Sequence, residues 1–317
     1  MSLKNISDLF TVAFYNLENL FDTTHDEYTL DKDFTPKGEM QWDEGKYTTK
    51  IHNLSKAIVQ IGNHKSVLPP IFLGVAEVEN RKVLEDLVAS DHLKAYDYDF
   101  VHYDSPDERG IDVAFLYQKK YFELTYSDTY TLMLEDKNHD RDYTRDILLI
   151  SGKLFGNSVH IIINHWPSRN KGKRFSENKR IRAAGLIHKI VNEIKEEDAD
   201  PNIMIMGDFN DDPNSNSIRK ILEHSDFFNP MSDLHRQGKG SLYHQGKWHL
   251  FDQIILSNSF NSKKGLLFKN AEVINEYFLQ EKYGRSKGAP LRTFSGGRYV
   301  GGYSDHFPVC AYFEKTD

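Results

Sequence analysis

Apolar residues along this chain fall into two kinds of run, short continuous stretches and stretches with helical spacing. Ile203-Met204-Ile205-Met206, closed by Gly207, has the length and continuity of a strand buried on both faces. Phe10–Tyr15, Ile71–Ala76, Ile111–Tyr117, Ile147–Leu154, Val159–Asn164, Phe251–Leu256 and Phe307–Phe313 read the same way, and Tyr98–His102 adds a shorter strand. Helical spacing of Ile51, Leu54, Ile58 and Ile61 predicts a helix over 47–62. Val83, Leu84, Leu87 and Val88 mark a short helix. Ile181, Ala184, Ile187, Ile190, Val191 and Ile194 mark a long one from near Glu177, and a last helix falls near Ser217–Leu222. Residues 22–46, 128–142 and 262–300 are polar and read as loops, the last extending to about 302. Mixed strands with intervening helices, and no repeat or linker, predict one α/β domain over 1–317 with its sheets covered.

Composition changes this picture little. At 39% hydrophobic and 27% charged, the chain is globular rather than disordered. The net charge of −7 argues against a uniformly basic nucleic-acid coat, though binding follows local potential. The lone Cys310 excludes an internal disulfide or cysteine metal cluster, and within Phe307–Phe313 it reads as a buried, inert thiol. No stretch approaches the roughly 20 apolar residues that span a bilayer. The N-terminus shows no signal-peptide core, so compartment stays open: cytoplasmic as written, exported if a leader was removed. A monomer is expected.

The chemistry gathers where the strands stop. Asp208 and Asn210 follow the 203–206 run, and an extended backbone through Phe209 would point both to one side. An anion and an amide there suggest a phosphate or hard-metal site, with an ordinary Asx turn as the competing reading. Other strands end at Asn16 and Glu18, at Glu77, at Asn164-His165 and beside Asp305-His306, while Asp252 opens another. Polar groups at strand ends commonly line one cleft. Singly, each has a bland alternative: Glu77 solvated, His165 a satisfied core histidine, Asp112 a partner of Arg109. The strongest basic segment, 168–174 followed by Lys179-Arg180-Ile181-Arg182, steers phosphates or is a solvated face. Arg145 is a weaker phosphate candidate, set against an ion pair at the surface. Trp42, Trp166 and Trp248 stack on bases or pack, with packing favoured for Trp166.

In order along the chain, Asn16-Leu17-Glu18-Asn19, Ala76-Glu77, Arg109-Gly110-Ile111-Asp112, Asn164-His165-Trp166-Pro167-Ser168-Arg169, Gly207-Asp208-Phe209-Asn210, Phe251-Asp252-Gln253-Ile254 and Ser304-Asp305-His306-Phe307-Pro308 resemble the endonuclease/exonuclease/phosphatase (DNase I-like) superfamily. That superfamily holds nucleases, abasic-site endonucleases, sphingomyelinases and inositol-polyphosphate 5-phosphatases. The resemblance spans 11–313 and implies a four-layer α/β/β/α sandwich of two packed mixed sheets flanked by helices. It implies a Mg²⁺ site, with Mn²⁺ as the alternative, at Glu77, with Asn16, Glu18 and Asp305 near the metal. It further implies a His306–Asp252 dyad, with Asp208, oriented by Asn210, as rival for positioning the attacking water. His165 would contact a phosphate oxygen with Asp112 as its partner, and Asn164, Arg109, Arg145 and Arg169 would bind substrate phosphate. The expected enzyme is a metal-dependent hydrolase acting on phosphoesters without a covalent intermediate. A nuclease-like phosphodiesterase, with nucleic acid as partner, ranks ahead of a phosphatase or phosphodiesterase of small or lipid phosphoesters. A catalytically silent binding module ranks last.

Overall fold

The computed structural model describes residues 9–135, 138–169, 173–223, 226–261 and 265–316. Two six-stranded mixed sheets lie at its centre. The first has the order β15-β18-β1-β2-β4-β3, formed by β1 (Leu9–Leu20), β2 (Phe72–Val78), β3 (Tyr98–His102), β4 (Asp112–Gln118), β15 (Gly265–Val273) and β18 (Val309–Thr316). The second has the order β11-β14-β10-β9-β8-β5, formed by β5 (Phe122–Tyr130), β8 (Ile147–Leu154), β9 (Asn157–His165), β10 (Ile203–Asp208), β11 (Phe227–Phe228) and β14 (Asp252–Ser257). Small hairpins pair β6 (Leu134–Glu135) with β7 (Arg141–Asp142), β12 (Leu242–His244) with β13 (Lys247–His249), and β16 (Phe294–Ser295) with β17 (Arg298–Tyr299).

Alternation along the strands divides the apolar residues into three layers. Val12, Phe14, Phe72 and Phe115 of the first sheet meet Ile161, Ile163, Met204, Met206 and Ile254 of the second in the central core. Ala13, Tyr15, Leu73 and Leu116 face the other way, onto α1 (Glu44–Ile58) and α2 (Arg81–Val88). Ile162, Ile203, Ile205 and Ile255 face α3 (Lys173–Glu197) and α4 (Asn216–Leu222). The result is the helix–sheet–sheet–helix sandwich. α5 (Met231–Arg236) packs at one end, with Met231 in the central core.

Several boundaries differ from the hydrophobic pattern. β1 continues past Tyr15 to Leu20, and α1 opens at Glu44, where Asp43 caps Lys46 N at 2.9 Å. The polar stretches at 128–142 and 262–302 are not plain loops. The end of β5 and the β6–β7 hairpin occupy the first, and β15 occupies part of the second. Both β5 and β15 are edge strands with exposed positions interrupting the apolar alternation, which hides them from a pattern reading. α5 was also not anticipated.

In each sheet the parallel pair sits in the middle, β1 beside β2 and β9 beside β10. Parallel neighbours end together, so these pairs deliver their C-terminal residues to one place.

Candidate active site

The inward rows of the central core end in polar residues at one edge of the sandwich. Val12 and Phe14 are followed by Asn16, Ile161 and Ile163 by His165, and Met204 and Met206 by Asp208, while Ile254 is preceded by Asp252. Register sets three of these abreast, because Asp208 is the partner of His165 on β9 and of Asp252 on β14. The approach of β9 to β10 requires Gly207, where a Cβ would lie 2.2 Å from the Asn164 carbonyl oxygen. His306 arrives from the other sheet just before β18, held by a bridge to Leu242 and by Ser304 Oγ, which accepts its backbone N–H at 3.0 Å.

His306 Nδ1 lies 2.6 Å from Asp252 Oδ2, and its Nε2 faces Asp208 Oδ2 and Asp305 Oδ1, each at 3.9 Å. Ser241 Oγ donates to the same Asp252 oxygen at 2.5 Å, while buried Asp252 Oδ1 has no partner among the described residues. Asn16 Nδ2 donates to Asp208 Oδ2 at 3.1 Å, and its oxygen accepts Glu18 N–H at 3.0 Å. Asp208 Oδ1 accepts Asn210 N–H at 2.9 Å. Side-chain atoms of Asp208, Asp252 and His306 come within 4.8 Å of one another.

Glu77 stands opposite. The backbone is left-handed at Glu18, Asn19, Glu77 and Asn210 (φ between 49° and 63°), a conformation that costs a non-glycine residue about 1–3 kcal/mol. The turn at Asn19 lets its N–H bond Glu77 Oε2 at 2.9 Å. Glu77 Oε1 lies 3.8 Å from His165 Nε2, which is also 3.8 Å from Asp208 Oδ2. Arg109 Nη2 donates to Asn19 Oδ1 at 2.5 Å and approaches Glu77 to 3.7 Å. Glu18 accepts Thr293 N–H at 2.6 Å and lies near buried Lys50 (3.7 Å) and Arg292 (3.4 Å). Arg292 in turn donates to Asp305 Oδ2 at 2.5 Å.

Burial and crowding set the charges. Burial, then the negative charges of Asp252 and Glu77, push Asp208 up to about 7 against the opposing pull of His306. Burial disfavours the imidazolium of His306, but Asp252, Asp208 and Asp305 outweigh it and hold the ring well above its ordinary value. His165 goes the other way: burial, Arg145, Arg109 and His306 keep it well below, so its ring is neutral. Its Nδ1 has no partner among the described residues.

Some expected roles are corrected by the side-chain partners. Asp112 accepts from His102 Nε2 and Ser105 N, both at 2.9 Å; it supports neither His165 nor Arg109. Asn164 is fully buried, donating to Ile162 and Met206 carbonyls and accepting from Trp166 Nε1, so it clasps β9 to β10 and offers nothing to a phosphate. Arg145 is buried against Asp107 (2.9 Å) and the Trp166 carbonyl, so its ion pair is not at the surface, and it lines a pocket with Arg109 and Ser168. Arg169 binds Asp211 (2.7 Å) and the Asn210 carbonyl and stacks on Phe251. Asn210 orients Asp208 through its backbone N–H, the Asx turn, while its amide donates to the Trp166 carbonyl. Arg180 is buried on Asp211, and Lys179 pairs with Asp142, so neither is a solvated face; residues 170–172 of the basic segment lie outside the described residues. Trp166 packs edge-on against Phe209, Trp42 is buried, and Trp248 stacks on Phe307. Cys310 is buried with its thiol pushed up to about 12 by desolvation.

Ser241, Lys50, Asn19 and Arg292 were missed. Ser241, Lys50 and Arg292 lie outside the strand-end motifs and Asn19 inside one, and only tertiary contacts bring all four to the cluster.

A model of the Endonuclease/Exonuclease/phosphatase family matches residues 11–315. No curated protein matches the chain. Among solved structures, the endonuclease/exonuclease/phosphatase from Bacteroides vulgatus is 16% identical with a TM-score of 0.58, over 97% of this chain and 99% of that one. The mannosyl-6-phosphatase of Bacteroides thetaiotaomicron is 16% identical at 0.59, over 96% and 99%. D. rerio TDP2 complexed with single strand DNA product is 13% identical at 0.60, over 98% and 100%. At these identities the likeness is one of fold.

Proposed function

The chain belongs to the endonuclease/exonuclease/phosphatase family, and from that premise we propose that it is a Mg²⁺-dependent phosphoesterase, first of all a nuclease-like phosphodiesterase. The observation that carries this reading is the His306–Asp252 pair facing Asp208, with His165 standing between Asp208 and Glu77. A hard cation fits the donors present. Glu77 Oε1 and Asp305 Oδ1 accept no hydrogen bond among the described residues, and the strained turns hold Glu77 in place. Glu77 and Asp305 would hold Mg²⁺ or Mn²⁺, with Glu18 and Asn16 adjoining, since both ions take oxygen ligands. Bound there, the cation would neutralise phosphate charge and polarise a phosphoryl oxygen.

The chain's own groups supply the proton chemistry. Asp208, pushed up to about 7, is suited to accept the proton of the attacking water near neutral pH. His306, held charged by Asp252, donates from Nε2 to a phosphate oxygen and leaves the base role to Asp208. Neutral His165 places a second ring nitrogen on the same phosphate, and Arg109 approaches it from the Glu77 side. A phosphatase of small phosphoesters is the second reading, favoured by the net charge of −7 and by the fold shared with the B. thetaiotaomicron mannosyl-6-phosphatase.

Hydrolysis of bis-p-nitrophenyl phosphate against p-nitrophenyl phosphate, with Mg²⁺ and with EDTA, tests both readings. Diester turnover that needs Mg²⁺ and is lost in Glu77→Ala and His306→Ala is expected. Turnover that survives EDTA or both substitutions would sink the mechanism, and a preference for the monoester would reverse the ranking.

A further inference from the structure

A groove of about 540 Å³ opens beside the cluster, sharing Asp305 and Arg292 with it. That volume lies within the roughly 300–1,000 Å³ of small-molecule sites. The end next to the catalytic groups is acidic or neutralised: Asp305 is there, and Arg292 is engaged by Asp305 and Glu18. Further along, Lys282, Arg285 and Arg298 outnumber the one further carboxylate of the lining, Glu281. Arg285 and Arg298 are exposed and have no carboxylate partner among the described residues; Lys282 has only the Tyr277 ring at 5.8 Å. Tyr243 and Tyr283 add ring faces to the same walls.

The walls are held by the backbone rather than by these side chains. Gln280 bridges Pro290, Glu281 N–H bonds the Ala289 carbonyl at 2.7 Å, and Leu291 N–H bonds Leu279 at 2.8 Å. Arg298 projects from the β16–β17 hairpin. With the backbone frame braced, an anion would have to order only the exposed side chains. A substrate with one phosphate, engaged at His306, would leave this excess of cations facing only Glu281.

We propose that this groove is a subsite for a second phosphate group of the substrate, with Arg285, Arg298 and Lys282 as its anion-binding side chains. The proposal rests on the phosphoesterase reading and narrows the substrate class to phosphoesters carrying more than one phosphate. The tyrosine faces accommodate the moiety that joins the two phosphates. A nucleic-acid strand and a small polyphosphate share this chemistry.

The test separates binding from turnover. In EDTA, fluorescein-labelled hexathymidylate is titrated by anisotropy and inositol hexakisphosphate by calorimetry, into wild type and Arg285→Gln/Arg298→Gln. The double variant should bind the preferred probe about tenfold or more weakly. For the oligonucleotide, its slope of log affinity against log salt should be shallower by about 1.4. Its kcat/KM on bis-p-nitrophenyl phosphate should stay within about twofold, and its melting curve should be unchanged. Tighter wild-type binding of hexathymidylate identifies a strand as the source, and tighter binding of inositol hexakisphosphate a small polyphosphate. Equal affinities in wild type and variant for both probes, or no saturable binding of either, would overturn the subsite. Failure of bis-p-nitrophenyl phosphate hydrolysis alone would instead overturn the phosphoesterase reading.

Discussion

On one flank of the cleft Arg145, Arg169, Lys179 and Arg180 are each held by a carboxylate: Asp107, Asp211, Asp142 and again Asp211. On the other flank Arg285 and Arg298 are held by none among the described residues. The first flank holds the densest basic segment of the chain, yet Arg169, Lys179 and Arg180 of that segment are committed to structure and only Arg182, among its described side chains, is exposed. The second is less conspicuous in sequence, yet it presents its charge to solvent. Counting Lys and Arg along a sequence measures charge; only the partners decide how much of it a substrate can feel.

Four measurements sharpen or break that contrast. The largest effect belongs to neither flank but to the floor between them: His306→Ala should lower kcat by about 10²–10³-fold with the fold intact, as expected for loss of a charged donor to the reacting phosphate. A smaller loss would move the chemistry away from the Asp252 pair. Arg180→Ala, on the closed flank, leaves Asp211 still paired with Arg169 and Ser217, and should cost about 1.5–3 kcal/mol in urea unfolding for the lost charge-assisted bond. An unchanged midpoint would show that the closed flank is not structural.

The third measurement is a pH series without metal. Asp208 is raised in the folded state, so its contribution to stability is present below its unfolded value near 4 and is lost as pH rises through about 7. Asp208→Asn cannot lose it, and its stability relative to wild type should climb across that window. A difference that is flat with pH would contradict the burial argument. The smallest effect is Arg298→Ala on the open flank, which should move the unfolding free energy by less than about 0.5 kcal/mol. A larger loss would mean that this arginine has a folding role and that the two flanks are not different in kind.

Legibility of the sequence followed burial. Ile203–Met206 and Ile71–Ala76 were readable because both of their faces are covered, so the apolar run is unbroken. β5 and β15 were not, because edge strands with exposed positions mix Thr, Ser, Asp and Lys into the run. The strand-end positions of Glu77, Asp208, Asp252 and His306 were also readable, since polar residues that abruptly bound apolar runs are a local signal. What each side chain bonds is not local. Asn164, Arg145 and Arg169 looked like ligands for phosphate and turned out to hold carbonyls and carboxylates from distant segments. Ser241 could not be picked out, because nothing near it in sequence marks the hydroxyl that meets Asp252.

Three central contacts of the site share one geometry: the Asn16–Asp208 and His306–Asp252 hydrogen bonds and the 3.8 Å approach of Glu77 to His165 each run from one sheet to the other. Neither sheet holds the cluster alone, and the Asn16–Asp208 link spans 192 residues of chain. During refolding the backbone can form its ladders before any of these atoms are neighbours. Recovery of the cluster therefore belongs to the closing of the interlayer core, and a chain whose far-ultraviolet signal has returned but whose sheets have not docked has no site.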